Sequence, residues 1–91
     1  MKLTLYTKSN CMLCDEAKRT LQIVQDEIPF TLEEMDIEQH DTLHARYMLH
    51  IPVVAYGEAI IQYGHIDYVT ISEALEHIAQ NRDIERIKLD L

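Results

Sequence analysis

The chain has 91 residues, of which 47% are hydrophobic and 26% are charged, so we expect residues 1–91 to form a single domain with one modest core. Sixteen acidic and eight basic side chains leave a net charge of −8. Phosphate backbones and anionic lipid surfaces would be repelled, so we expect neither nucleic acid nor a membrane as a partner. No signal-peptide pattern and no apolar run of membrane-spanning length is recognisable, so we expect a cytoplasmic protein. We also expect it to be a monomer.

The first part of the chain has the pattern of a strand, a helix and a second strand. Residues 3–7 alternate apolar and polar side chains in a β-rich composition, which predicts a strand. From Leu13 to Ile28, apolar side chains recur every three or four residues, which predicts an amphipathic helix that ends at Pro29. Residues 30–37 alternate again and predict a second strand. Strands joined in this way form a right-handed unit with parallel strands.

The middle of the chain has the pattern of a short helix followed by a hairpin. A polar stretch at residues 38–41 precedes a short apolar helix pattern, and residues 51–56 predict a third strand that opens on a proline. Residues 57–58, Gly-Glu, predict a tight turn into a fourth strand over residues 59–63. Strands three and four should therefore pair with each other.

The last predicted helix completes the order of elements. Thr70 and Glu73 have the spacing of a capping box and predict its start. The tail, residues 81–91, fits both a helix and a strand pattern, and we favour a helical extension. The order β-α-β-α-β-β-α predicts an α/β fold with a four-stranded mixed sheet and helices on both faces.

Two cysteines, Cys11 and Cys14, lie where the first strand gives way to the first helix. The thiolate is the attacking form of cysteine, and the unpaired N–H groups and dipole of a helix N-terminus stabilise an anion there. We therefore expect a lowered pKa for the Cys11 thiol, with a further contribution from the positive charge of Lys8. Cys14 lies one turn into the helix, so the two sulfurs can close a small disulfide ring. The pattern predicts a redox pair.

A metal site is the rival interpretation of the same cysteines. His40 and His44 stand four residues apart on the predicted short helix and would complete a tetrahedral zinc site with Cys11 and Cys14. A predicted strand separates the two pairs, however, and the chain has no second C-x-x-C. We therefore expect no metal. The remaining alternative is a pair of buried cysteines without redox function.

The motifs resemble glutaredoxin over about residues 1–80. Lys8-x-x-Cys11-x-x-Cys14 follows the first strand, Ile51-Pro52 opens the third, and a hairpin leads to the last helix. The stretches LTLYTKSNCMLCDEAK, MDIEQHD and RYMLHIPVV resemble a branch of small glutaredoxin-like proteins with a C-x-L-C site. The resemblance implies the thioredoxin fold, with Cys11 as nucleophile and Cys14 as resolving thiol. It also implies a cis Pro52 packed against the disulfide, and an Ile51 backbone that pairs with an extended substrate.

Two departures from the glutaredoxin pattern concern the binding of glutathione. Met12 and Leu13 replace the usual proline and tyrosine between the cysteines. The Gly-Gly pair that holds the γ-glutamyl end of glutathione in glutaredoxins is absent, and in the corresponding segment, QYGH, Gly64 and the following Asp67 are its nearest equivalents. Lys8 is in place for the glycine carboxylate. We therefore expect glutathione to be a co-substrate that binds poorly.

These observations together predict a glutaredoxin-like thiol–disulfide oxidoreductase of cell redox homeostasis. It would reduce disulfides in proteins or small thiol compounds through Cys11 and Cys14, without a cofactor. Its electrons would come from glutathione or a thioredoxin-type reductase. The alternative from another class is a non-catalytic thioredoxin-like binding module or a Cys/His metal-binding domain.

Overall fold

The computed structural model describes residues 1–80, so the predicted helical extension of the tail lies outside the described residues. The described elements follow the predicted order, with one additional 3-10 turn before the short helix. The strands are β1 (Lys2–Thr7), β2 (Thr31–Asp36), β3 (Val53–Tyr56) and β4 (Ala59–Tyr63). The helices are α1 (Met12–Glu27), the 3-10 turn (Ile37–Gln39), α2 (Asp41–Tyr47) and α3 (Tyr68–Ala79).

The four strands form one mixed sheet in the order β2-β1-β3-β4. β1 and β2 are parallel, whereas β3 is antiparallel to both β1 and β4. The registers Thr7↔Asp36, Tyr6↔Val53 and Val53↔Tyr63 bring the ends of β1, β2 and β4 and the start of β3 to one edge of the sheet. We call this the cysteine edge, because the loop that carries Cys11 leaves β1 there.

Helices cover both faces of the sheet, as predicted. On one face, α1 and α3 pack against β1 and β4 in the larger core cluster, with Leu5, Leu21 and Ile71 fully buried. Burial of side chains of this size stabilises the fold by about 1.5–3 kcal/mol each, which is why the apolar helix faces lie against the sheet. The opposite face is covered by α2 through a smaller cluster around Ile37 and Tyr47.

An aromatic pair anchors α2 on its face of the sheet. The rings of Tyr6 on β1 and Tyr47 on α2 stack with centroids 4.5 Å apart. The guanidinium of Arg46 lies 5.1 Å from the centre of the Tyr47 ring. Burial, followed by the proximity of Tyr47, raises the pKa of Tyr6 above its ordinary value. The two tyrosines therefore serve packing.

Proline and aspartate mark the ends of the two long helices. Ile28 adopts an extended conformation directly before Pro29 and ends α1, as expected for a residue that precedes proline. The predicted start of α3 is wrong, because the helix begins at Tyr68 rather than after Thr70. Asp67 is the N-cap, since its carboxylate accepts a hydrogen bond from the backbone N–H of Thr70 at 2.8 Å.

Candidate active site

The two cysteines occupy the first turn of α1. Cys11 is the N-cap residue, with φ −124° and ψ 106°, and its Sγ accepts a hydrogen bond from the backbone N–H of Cys14 at 3.2 Å. Asn10 turns the chain into this position with a positive φ of 55°, a conformation that asparagine tolerates better than most residues. The first sulfur therefore lies where the helix N-terminus presents its unpaired N–H groups and positive dipole end.

The cysteines are joined by a disulfide and differ in their exposure. Their Cα atoms are 5.1 Å apart, within the range that a disulfide spans. Cys14 is fully buried at 0% exposure, whereas Cys11 is partly exposed. Between them, Met12 is 77% and Leu13 is 45% exposed, so this apolar pair faces solvent beside the sulfur. A molecule approaching from solvent therefore reaches the sulfur of Cys11 first.

Ile51 and Pro52 lie directly before β3, on the cysteine edge of the sheet. The Ile51–Pro52 peptide bond is cis and Pro52 is buried, as the resemblance implies. The backbone N–H of Ile51 donates to the carbonyl of Tyr47 at 3.1 Å. An extended substrate would therefore have to pair with the carbonyl oxygen of Ile51 rather than with its N–H.

The loop between β4 and α3 approaches the same proline. Gly64 donates its backbone N–H to the carbonyl of Pro52 at 2.8 Å. Its φ of +76° lies in the left-handed region, and an added Cβ would meet no atom within 4 Å. The glycine is therefore required by the backbone conformation and not by lack of space. Next to it, the ring of Tyr63 packs edge-on against His50, with centroids 5.3 Å apart.

Asp67 is held tightly by its neighbours. Gln62 donates from Nε2 to Oδ2 of Asp67 at 2.7 Å, and Gln62 Oε1 accepts the backbone N–H of Asp67 at 2.9 Å. The hydrogen bond from the Thr70 backbone N–H, and then the one from Gln62 Nε2, lower the pKa of the Asp67 carboxyl below its ordinary value. The segment predicted to be a weak substitute for a Gly-Gly pair is thus an internally bonded helix cap.

Lys8 lies on the other side of the cysteine loop, at the end of β1. It is exposed and lines a groove together with side chains of α1 and of the edge strand β2. Within residues 1–80, Lys8 has no carboxylate within ion-pair distance. The contact of Lys8 with an anionic group of a substrate stays a prediction.

The histidines of the zinc hypothesis belong to the start of α2. His40 precedes the helix and His44 lies within it, and both side chains are exposed. Across the described residues, no group of three or more His, Cys, Asp and Glu side chains is placed to hold a metal ion. Cys11 and Cys14 bond to each other, so the described part of the chain gives the zinc hypothesis no support.

The sequence matches a known protein family over most of its length. Residues 2–87 match the family described as glutaredoxin-like domain (DUF836). The chain belongs to this family. Its resemblance to glutaredoxins, carried by Lys8, the two cysteines and Pro52, is therefore confirmed.

Solved structures of similar shape establish the fold of this glutaredoxin-like domain. A structural genomics target protein from X. campestris superposes with a TM-score of 0.70 at 24% identity, covering 81% of this chain and 95% of that one. A malarial protein superposes with a TM-score of 0.60 at 11% identity, covering 85% of this chain and 93% of that one. Thioredoxin 1 from Thermosipho africanus superposes with a TM-score of 0.55 at 19% identity, covering 89% of this chain and 93% of that one. At these identities the likeness shows the thioredoxin fold, which was predicted, and nothing about activity.

Sequence reasoning missed the roles of several polar residues in this glutaredoxin-like domain. The role of Asp67 as the N-cap of α3 was not predicted. An aspartate three residues before Thr70 nevertheless has the spacing at which an N-cap side chain accepts a backbone N–H. Glu34 and Asp36 lie on the same face of β2 as Leu32, which packs against the larger core cluster. Two carboxylates on this face of an edge strand could have indicated a polar groove between β2 and α1.

No helix within residues 1–80 combines the length and the apolar character needed to cross a membrane.

Proposed function

We propose that the protein is a thiol–disulfide oxidoreductase that reduces disulfides through Cys11 and Cys14. The Cys11 thiolate attacks one sulfur of a substrate disulfide, forms a mixed disulfide and releases the other half of the substrate as a thiolate, which takes a proton from water. The Cys14 thiolate then attacks Cys11 Sγ and releases the second half of the substrate. Two electrons pass to the substrate, and the protein is left with the Cys11–Cys14 disulfide.

The observation that carries the proposal is the unequal exposure of two sulfurs at one helix start. The N-cap position gives Cys11 a stabilised thiolate and access to solvent, whereas the burial of Cys14 shields it from everything except its neighbour. A nucleophile needs the first environment and a resolving thiol needs the second. The cis proline and the carbonyl of Ile51 at the cysteine edge support the docking of an extended substrate beside the sulfur.

We place this activity in the cytoplasm, as part of cell redox homeostasis. The oxidised protein must be returned to the dithiol by a reductant, which is either glutathione or a thioredoxin-type reductase. Candidate substrates are disulfides of proteins and of small thiol compounds. The chemistry needs no cofactor, since both reacting sulfurs belong to the protein.

Turnover with defined electron donors tests the proposal. Reduction of bis(2-hydroxyethyl) disulfide is followed by NADPH consumption, once with glutathione and glutathione reductase and once with thioredoxin reductase. Turnover that disappears in Cys11→Ser supports the proposal and identifies the donor. A wild-type protein no faster than Cys11→Ser with both donors would show a non-catalytic module.

Metal analysis distinguishes the redox pair from the remaining alternative, a Cys/His metal-binding domain. Protein purified under reducing conditions should carry no stoichiometric zinc or iron if the cysteines are a redox pair. One zinc per chain that is lost in both Cys14→Ser and His44→Ala would instead establish the Cys/His metal domain.

A further inference from the structure

A polar groove opens between the first half of α1 and the edge strand β2. It encloses about 300 Å³, which is at the small end of the range of ligand sites. Its walls are Thr7, Lys8, Ser9, Lys18, Glu34 and Asp36. The pairing Thr7↔Asp36 places the groove at the cysteine edge of the sheet, where the carboxyl ends of the two parallel strands meet. Ligands of parallel sheets commonly bind at this edge.

The charges of the groove are only partly compensated by the protein itself. Lys18 Nζ lies 3.1 Å from Glu34 Oε1, so these two side chains form an ion pair. Asp36 uses Oδ1 to accept the backbone N–H of Glu38 at 2.9 Å, which leaves Oδ2 for another donor. Lys8 pairs with no carboxylate in residues 1–80. One cation and one anion therefore remain for a ligand.

We propose that this groove binds the amino-acid head group, one ammonium and one carboxylate, of a small disulfide substrate. This inference rests on the proposed function, for which it names a substrate class. The carboxylate of the ligand pairs with Lys8 and the ammonium pairs with Asp36. A phosphate or dicarboxylate would be repelled by Glu34 and Asp36, and a simple cation by the two lysines. A zwitterion also has no net charge for the overall charge of −8 to repel.

The position of the groove suits the chemistry at Cys11. Lys8 is three residues before Cys11, in the loop that leads from β1 into the helix. A head group held by Lys8 and Asp36 therefore lies against the loop that carries the reacting sulfur. For cystine, the reaction converts one cystine and the protein dithiol into two cysteines and the protein disulfide. Glutathione disulfide is the second possible source, because its γ-glutamyl end carries the same pair of charges and Asp67 already occupies the site at the start of α3. Lys8 would then hold the γ-glutamyl carboxylate instead of the glycine carboxylate.

Three substrates, which are cystine, glutathione disulfide and bis(2-hydroxyethyl) disulfide, and two matched variants test the groove. Asp36→Asn removes the charge but keeps an oxygen that can accept the N–H of Glu38. Glu33→Gln removes an equal charge from the same strand, at a residue that pairs with Lys2 and does not line the groove. In Asp36→Asn, the KM for cystine should rise about twofold to fivefold with kcat unchanged, which is the effect of losing one partly exposed ion pair. Bis(2-hydroxyethyl) disulfide, which has no charge, should be unaffected.

The results distinguish cystine from glutathione disulfide as the source of the head group, and three of them would overturn the proposal. A parallel rise in the KM for glutathione disulfide assigns the groove to both head groups, and a rise for cystine alone assigns it to the free amino acid. The proposal is overturned if Asp36→Asn leaves the KM for cystine unchanged, if the uncharged disulfide is affected equally, or if Glu33→Gln acts like Asp36→Asn.

A binding measurement keeps the test independent of catalysis. Oxidised wild-type protein is titrated with L-alanine while backbone amide NMR shifts are recorded. Saturable shifts at Ser9 and Asp36, absent with N-acetylalanine amide and lost in Asp36→Asn, support the groove even if no disulfide is turned over. No shift with L-alanine overturns the groove, whereas absent turnover with intact binding overturns the proposed function alone.

Discussion

The side chain of Gln62 holds Asp67 by two hydrogen bonds, one from its Nε2 to Oδ2 of Asp67 and one from the Asp67 backbone N–H to its Oε1. Asp67 in turn caps α3 by accepting the backbone N–H of Thr70. The Thr70 N–H at the start of this helix is therefore already bonded to a carboxylate of the protein itself. An incoming carboxylate at this place would have to displace the carboxylate of Asp67.

Glutathione should therefore be a poor reductant, with a KM that is raised more than kcat is lowered. The loss of one charge-assisted anchor costs about 1.5–3 kcal/mol, which weakens binding by roughly tenfold to a hundredfold. The measurement is a glutathione-coupled assay with a glutathionylated peptide, run beside an ordinary dithiol glutaredoxin. Equal KM values for the two proteins would show that residues outside the α3 cap hold the γ-glutamyl end.

Replacing Asp67 by alanine should lower the free energy of unfolding at neutral pH by about 0.5–2 kcal/mol, the usual effect of losing an N-cap. The pKa of Asp67 in the folded protein lies below its ordinary value of 3.8. The Asp67 carboxylate therefore contributes its full stabilisation at pH values above its ordinary pKa. This stabilisation is lost as the pH falls through the lower pKa of Asp67 in the folded protein. Urea unfolding should show a gap between wild type and Asp67→Ala that narrows on acidification.

Two variants serve as controls for the Asp67 prediction. Glu73→Ala removes an exposed carboxylate of α3 and should leave stability nearly unchanged. Asp67→Asn retains an acceptor for the Thr70 N–H and should lose less stability than alanine at neutral pH. A gap between wild type and Asp67→Ala that stays constant with pH would contradict the assigned role of the carboxylate charge.

The two cysteines should have different roles. Cys11→Ser should abolish disulfide reduction, because the exposed nucleophile is missing. Cys14→Ser should accumulate a mixed disulfide with substrate, because the first attack survives and the resolving attack does not. Mass spectrometry of non-reduced protein after incubation with substrate measures the trapped species. Equal trapping by the two variants would reverse or remove the assignment of nucleophile and resolver.

The thiol of Cys11 should have a pKa below the ordinary value of about 8.5, because the N-terminus of α1 stabilises its thiolate. The rate of alkylation against pH, measured on Cys14→Ser, reports this pKa. Lys8→Gln should raise the midpoint modestly, since the lysine is exposed and screened by salt, whereas Lys2→Gln should leave it unchanged. A midpoint at or above the ordinary value in Cys14→Ser would refute the effect of the helix.

The order of elements could be predicted from the sequence because it depends on local patterns. Apolar side chains at helical spacing predicted the buried face of α1, and Ala17, Leu21 and Val24 are indeed buried there. Pro29 set the end of the helix because the residue before a proline avoids helical dihedrals. The cis conformation of Pro52 was different, since it followed from the resemblance to glutaredoxin and not from the local sequence.

The site depended on contacts between elements that are distant in the chain, and these only the tertiary structure decided. The cap of α3 was mispredicted because Asp67 is fixed by Gln62, a residue of the preceding strand. The groove brings together Lys18 of α1 and Glu34 of β2, which are distant in the chain. The sequence determined which residues form helices and strands, since hydrophobic periodicity and turn residues act within a few positions. Strand register and helix packing then determined which polar groups meet and which sulfur faces solvent, because those contacts require the assembled sheet.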